Sequence, residues 1–140
     1  TNSDIERGNE LESAARTAYE IRTKRSIVQV GFVEASKSVG CSPDGLVGKK
    51  GLVEIKCPNG SNFIKHQVLG IPSKYKWQMQ MQMFVCEREW CDFVAYNENF
   101  SDIFVARVKR NETRITGIKA GLKIGEEKIK EIMDRLGVKK

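Results

Sequence analysis

The chain opens on a helical pattern. Ile5, Gly8, Leu11, Ala15, Ala18 and Tyr19 recur at helical intervals and predict a first helix ending near Thr23, with Ser3 and Glu6 at capping-box spacing. The period then drops to two. "SIVQVGFVEA" alternates, is rich in β-branched residues, and predicts one strand from Ser26 to Ala35. "GCSPDGLVGKKGLVEIKC" predicts a hairpin with strands at 45–47 and 52–57 and a turn at 48–51. Residues 58–72 are rich in Gly, Ser, Asn and Pro and predict a loop with one short helical piece. "SKYKWQMQMQMFVCERE" carries apolar residues on most sides, the mark of a buried helix. "WCDFVAYN" and "DIFVARVKR" predict two paired strands joined by a turn at 98–101. Ile118, Leu122, Ile129, Ile132 and Leu136 predict a closing amphipathic helix with its apolar stripe on the core. The order α-β-β-β-α-β-β-α implies an α/β (α+β) fold, a mixed β-sheet flanked by helices.

Composition narrows this picture. The 140 residues are 40% hydrophobic and 30% charged, which suits one globular domain with its own core rather than a disordered chain. No apolar run is long enough to span a bilayer, and no signal peptide stands at the start. Cys41, Cys57, Cys86 and Cys91 form no C-x-x-C pair and are expected to be reduced thiols. His66 is the single histidine, which argues against a zinc site of mixed ligands.

The net charge of +6 lies wholly in residues 106–140, which hold 11 basic and 5 acidic side chains. Lys119, Lys123 and Lys130 fall near one another on the outward side of the closing helix, just after Arg107, Lys109 and Arg110. That placement suits a polyanion partner. The competing reading is a solvated, lysine-rich helix. Lys65, in the 58–72 segment, is a further candidate.

The chemistry concentrates in "GLVEIKCP". Glu54 and Lys56 interrupt an otherwise apolar strand, and polar groups in a buried run are costly unless paired or coordinated. Two residues apart on a strand, they share a face, with Ile55 pointing into the opposite layer. The hairpin can return Asp44 beside Glu54. Two converging carboxylates repel unless a positive group lies between them, for which Mg²⁺ is the ordinary solution. A lysine beside such an ion suits phosphodiester hydrolysis, where developing negative charge needs stabilising. The competing reading is a cross-strand carboxylate–lysine ion pair. Glu12, between Gly8 and Ala15 on the first helix, is placed to reach inward, with an i, i+4 pair to Arg16 as its alternative.

These residues also carry a resemblance. Asp44, Glu54 and Lys56, with Pro43, match the D-(x)n-E-x-K signature of the PD-(D/E)XK nucleases. More narrowly, "CSPDGL…GLVEIKCP", "RGNELESAARTAYE" and "YKWQMQMQMFV" resemble three successive motifs of the lambda exonuclease and YqaJ-like viral recombinase family. The resemblance implies a restriction-endonuclease-like core and Mg²⁺-dependent exonuclease digestion of double-stranded DNA from 5′ ends, with Mn²⁺ substituting. It implies Asp44 and Glu54 as direct metal ligands, completed by the backbone carbonyl of Ile55, and Glu12 serving a metal directly or through water. Lys56 would position or activate the attacking water, and Gln78 would be the supporting residue of the glutamine helix.

It further implies a homotrimer, a single-strand-annealing partner, and phage or prophage origin with action in the bacterial cytoplasm. The family carries a substantial region ahead of its first motif, whereas this chain opens seven residues before Gly8. The expectation is one nuclease domain over 1–140, either a minimal version or one without that region. The alternatives are a PD-(D/E)XK endonuclease or junction resolvase, and a non-catalytic DNA-binding or assembly module.

Overall fold

The computed structural model describes residues 2–36 and 39–137, with the side chains of 2–5 and 7 outside that description. Helix α1 (Asn2–Thr23) opens the chain and already includes Asn2, so the expected cap at Ser3 lies inside the helix, among the undescribed side chains. Strands β1 (Ile27–Val28), β2 (Val33–Ser36), β3 (Val39–Cys41), β4 (Gly45–Val47) and β5 (Gly51–Lys56) follow. Helices α2 (Gly60–Leu69) and α3 (Ser73–Val85) then lead to β6 (Trp90–Ala95), β7 (Phe104–Lys109) and α4 (Glu112–Leu136).

The main sheet has the order β1-β4-β5-β6-β7, and β2 pairs with β3 in a separate ribbon. Within the main sheet only β5 and β6 run parallel. Helices α2 and α3 supply the crossover that a parallel pair requires.

Alternation along β5 sends successive residues into two layers. Val53 and Ile55 pack with Ala15 and Tyr19 of α1, together with Val47, Val94 and Ile103. Leu52 packs on the other face with Phe63 of α2 and Met79 and Met83 of α3. Burying a large apolar side chain contributes about 1.5–3 kcal/mol, so both layers hold β5 in register. Two glycines permit the close packing around it. A Cβ at Gly45 would overlap Ile27, and one at Gly51 would overlap the Trp90 ring.

Three sequence expectations change. The single strand expected over 26–35 is two strands in different sheets, because alternation reports a half-buried strand without saying which partner it pairs with. The expected loop at 58–72 holds a full helix. Asn59 caps it, accepting from Asn62 N at 2.9 Å, and Phe63 and His66 bury one face. The stripe of α4 does not lie on the core along its length. Ile115 is buried near its start, whereas Ile129 and Leu136 are 55% and 71% exposed.

Candidate active site

The hairpin of β4 and β5 assembles the site. Gly45 stands opposite Val53, and extending that register by one residue sets Asp44 across from Glu54. Asp44 Oδ2 accepts a hydrogen bond from Ile55 N at 2.7 Å. The Lys56 carbonyl accepts from Tyr96 N at 2.9 Å, on the β6 side. Alternation therefore turns both the N–H and the C=O of Ile55 toward the Asp44 side.

Glu54 is 3% exposed and faces α3. Its Oε2 accepts from Gln82 Nε2 at 2.9 Å, and its Oε1 lies 3.2 Å from Lys56 Nζ. Lys56 Nζ also sits 4.8 Å from the centroid of the Tyr75 ring, on the ring's electron-rich face. A buried carboxylate with two charge-directed partners is fixed in orientation.

Asp44 is less well compensated. Burial and the neighbouring Glu54 carboxylate push its pKa up from 3.8 to about 7, and Glu12 adds to the rise. The Ile55 N–H and Lys56 offset only part of this. Because the folded-state pKa is raised, protonated Asp44 stabilises the fold below about pH 4, and that contribution is lost as pH rises through about 7. In EDTA, Asp44→Asn should therefore melt higher than wild type at pH 8 and close to it at pH 4. Melting curves across that range check the trend; a gap that is constant with pH would contradict the assignment.

The donor set fits a hard divalent cation. Asp44, Glu54 and the Ile55 carbonyl offer oxygen ligands, and a cation between the carboxylates would offset the burial and the Glu54 charge that raise the Asp44 pKa. Among the described residues no three His, Cys, Asp or Glu side chains are grouped to surround an ion. The carboxylates form a pair.

Glu12 borders the same cavity as Asp44, about 410 Å³ in volume, without joining that pair. Its Oε1 is 3.2 Å from Arg16 Nη1, the i, i+4 alternative. With its amide turned to present oxygen, Gln29 accepts from the same guanidinium, at 2.8 Å from Nη2.

The structure brings together Asp44, Glu54, Ile55 and Lys56. It does not bring Gln78, which is exposed on α3. Gln82 makes the contact instead, and Gln80 ties α3 to the start of α4 through Lys109 O and Asn111 N, each at 2.9 Å. Helical spacing is the signal that distinguishes them. Tyr75, Met79, Gln82 and Met83 follow i, i+4, i+7, i+8, so Gln82 shares the sheet-facing side. Among the described residues its Oε1 is buried without a hydrogen-bond partner, an uncommon state beside a charged site.

A second cavity, about 550 Å³, opens beyond Lys56 and is lined in part by Lys65, Lys74 and Tyr75. Lys65 therefore lies beside the site. Lys119 and Lys123 line a smaller groove on α4 and β2, and Lys130 is exposed farther along α4.

An uncharacterized protein of Acanthamoeba polyphaga mimivirus, R354, is 27% identical over 135 residues, which cover 84% of this chain and 24% of that protein. The chain thus spans about a quarter of that relative's length. LHK-Exo in complex with dAMP is 37% identical and superposes with a TM-score of 0.83, over 98% of this chain and 75% of that one. The alkaline exonuclease LHK-Exo from Laribacter hongkongensis, also 37% identical, gives 0.72 over 94% and 75%. A phage-related exonuclease from Haemophilus somnus 129PT, 16% identical, gives 0.76 over 94% and 73%, a likeness of fold alone. The YqaJ-like viral recombinase domain model matches residues 1–89, which contain every residue of the Asp44–Glu54–Lys56 site, and the chain belongs to that family.

Proposed function

We propose that the chain is a Mg²⁺-dependent exonuclease of double-stranded DNA, acting 5′ to 3′ in phage-type recombination. One observation carries the reading. A carboxylate pair, half-buried Asp44 and buried Glu54, is held beside Lys56 on the sheet of a fold shared with LHK-Exo. Its 37% identity to an alkaline exonuclease supports a nuclease, and membership of the recombinase family supports the recombination setting.

Asp44, Glu54 and the Ile55 carbonyl would hold the cation, with Glu12 reaching it directly or through water. Bound there, such a cation would supply Lewis acidity toward a phosphoryl oxygen and favour ionisation of a neighbouring water. Lys56 orients that water or stabilises charge developing on the phosphate, a role that suits a cation steadied by Glu54 and by the Tyr75 face. Gln82 keeps Glu54 from rotating away.

End-labelled linear duplex and closed circular duplex, each in Mg²⁺ and in EDTA, test the reading. The proposal expects label release from linear DNA in Mg²⁺ alone. Nicking of the closed circle would favour an endonuclease or resolvase, and binding without cleavage a non-catalytic module.

The basic helix contributes to gripping the duplex in this reading. Replacing Lys119, Lys123 and Lys130 by Gln should weaken binding similarly for any DNA sequence. The dependence of log affinity on log salt should flatten by about 0.9 unit for each phosphate left without its lysine. Turnover at saturating DNA should persist. An unchanged salt slope would mean that this face is only solvated.

A further inference from the structure

The four cysteines are thiols, and two of them, far apart in sequence, meet at the edge of the site. Cys41 ends β3, three residues before Asp44. Cys86 caps the C-terminus of α3, four residues after Gln82. Their sulfurs lie 3.8 Å apart and both residues are half-buried, so a small oxidant can approach without unfolding. A disulfide needs about 2.0 Å, which leaves about 1.8 Å to be closed by side-chain rotation and a small backbone shift.

We propose that Cys41 and Cys86 form a reversible disulfide that clasps the Asp44 segment to the end of α3. Every residue of the carboxylate–lysine site, and Gln82, lies inside the loop this bond closes. The oxidant is a low-molecular-weight disulfide such as oxidised glutathione. The Cys86 thiolate attacks it, forming a mixed disulfide and releasing one glutathione thiolate. The Cys41 thiolate then attacks the Cys86 sulfur, forming the internal bond and expelling the second glutathione thiolate. The two protein thiols lose two protons and two electrons, and the glutathione disulfide gains the two electrons.

Cys86 is the better first nucleophile. Burial raises its pKa, but the hydrogen bond with Cys41 and the charge of Arg88 both favour its thiolate. Burial and Cys86 push the Cys41 thiol up to about 12. Thiolate is therefore scarce at neutral pH and exchange is slow.

The test is independent of nuclease activity. The full chain is incubated for hours with oxidised glutathione at pH 8.5, then denatured, alkylated and digested. The expected result is loss of two of the four thiols and a Cys41–Cys86 linked peptide. The melting temperature should rise by about 5 °C or more, since the bond restrains a long loop of the unfolded chain. Dithiothreitol should reverse both effects. Cys86→Ser, checked for a native circular dichroism spectrum, should keep its three remaining thiols, whereas Cys41→Ser, checked likewise, should give no linked peptide and lose at most one thiol, Cys86, trapped as its mixed disulfide with glutathione. Four surviving thiols, or a linked peptide pairing Cys86 with Cys91 or Cys57, would overturn the proposal.

Discussion

Glu54→Gln is expected to fall below about 1% of wild-type hydrolysis while remaining folded. Losing a residue that only orients a metal ligand typically costs about 10–100-fold, so neutralising a direct ligand should cost at least the upper end. The fold should tolerate the change. Gln has nearly the same volume, its amide oxygen can still accept from Gln82, and Lys56, at 32% side-chain exposure, can be solvated. Removing the Glu54 charge also relieves Asp44. The melting temperature should move by less than about 5 °C, the shift expected of a 1–2 kcal/mol change in a chain of this size. Substantial cleavage by the folded variant, or by wild type in EDTA, would rule the mechanism out.

The second large effect belongs to Lys56. If it stabilises the transition state, Lys56→Ala should lower turnover by at least about 100-fold, roughly 2.7 kcal/mol of barrier, with DNA affinity little changed. The structure also shows it paired with Glu54, and this sharpens the comparison. A structural partner would reveal itself as a lower melting temperature with activity retained. Its partial exposure limits what the pair contributes to stability, because solvent screens it. Turnover and melting measured on one preparation decide between the roles.

Much of the candidate site's geometry is legible in the sequence because β5 obeys strand geometry. Alternation placed Glu54 and Lys56 on one face and Ile55 on the other, and the packing of Val53 and Ile55 against α1 follows that division. The hairpin register was legible from Asp44 and the Gly-rich turn, and it accounts for the carboxylate pair. The partners that finish the site were less so. For Glu12 the i, i+4 spacing to Arg16 competed with an inward role, and the structure shows the Arg16 pair at the rim of the Asp44 cavity. For the glutamine helix, three glutamines alternate with methionines, so composition cannot separate them and only the angle around the helix can.

Elsewhere, local pattern met non-local choices. A β-branched run at 26–35 says nothing about the break between Val28 and Val33 that sends its halves to different sheets. The turn-forming composition after Pro58 concealed an Asn cap and a helix held by just Phe63 and His66 in the core. On α4 the apolar period is real, yet past Leu122 the apolar residues Ile129, Ile132 and Leu136 remain exposed. Periodicity reports which side is apolar and is silent on whether anything covers it.

The central claim is that Asp44 and Glu54 together hold a divalent cation beside Lys56. Electron paramagnetic resonance of Mn²⁺ titrated into wild type and Glu54→Gln, each with bound duplex, tests it most directly. The account predicts a protein-bound Mn²⁺ signal in wild type that Mg²⁺ displaces and that Glu54→Gln loses. Equal Mn²⁺ binding by both proteins would contradict it.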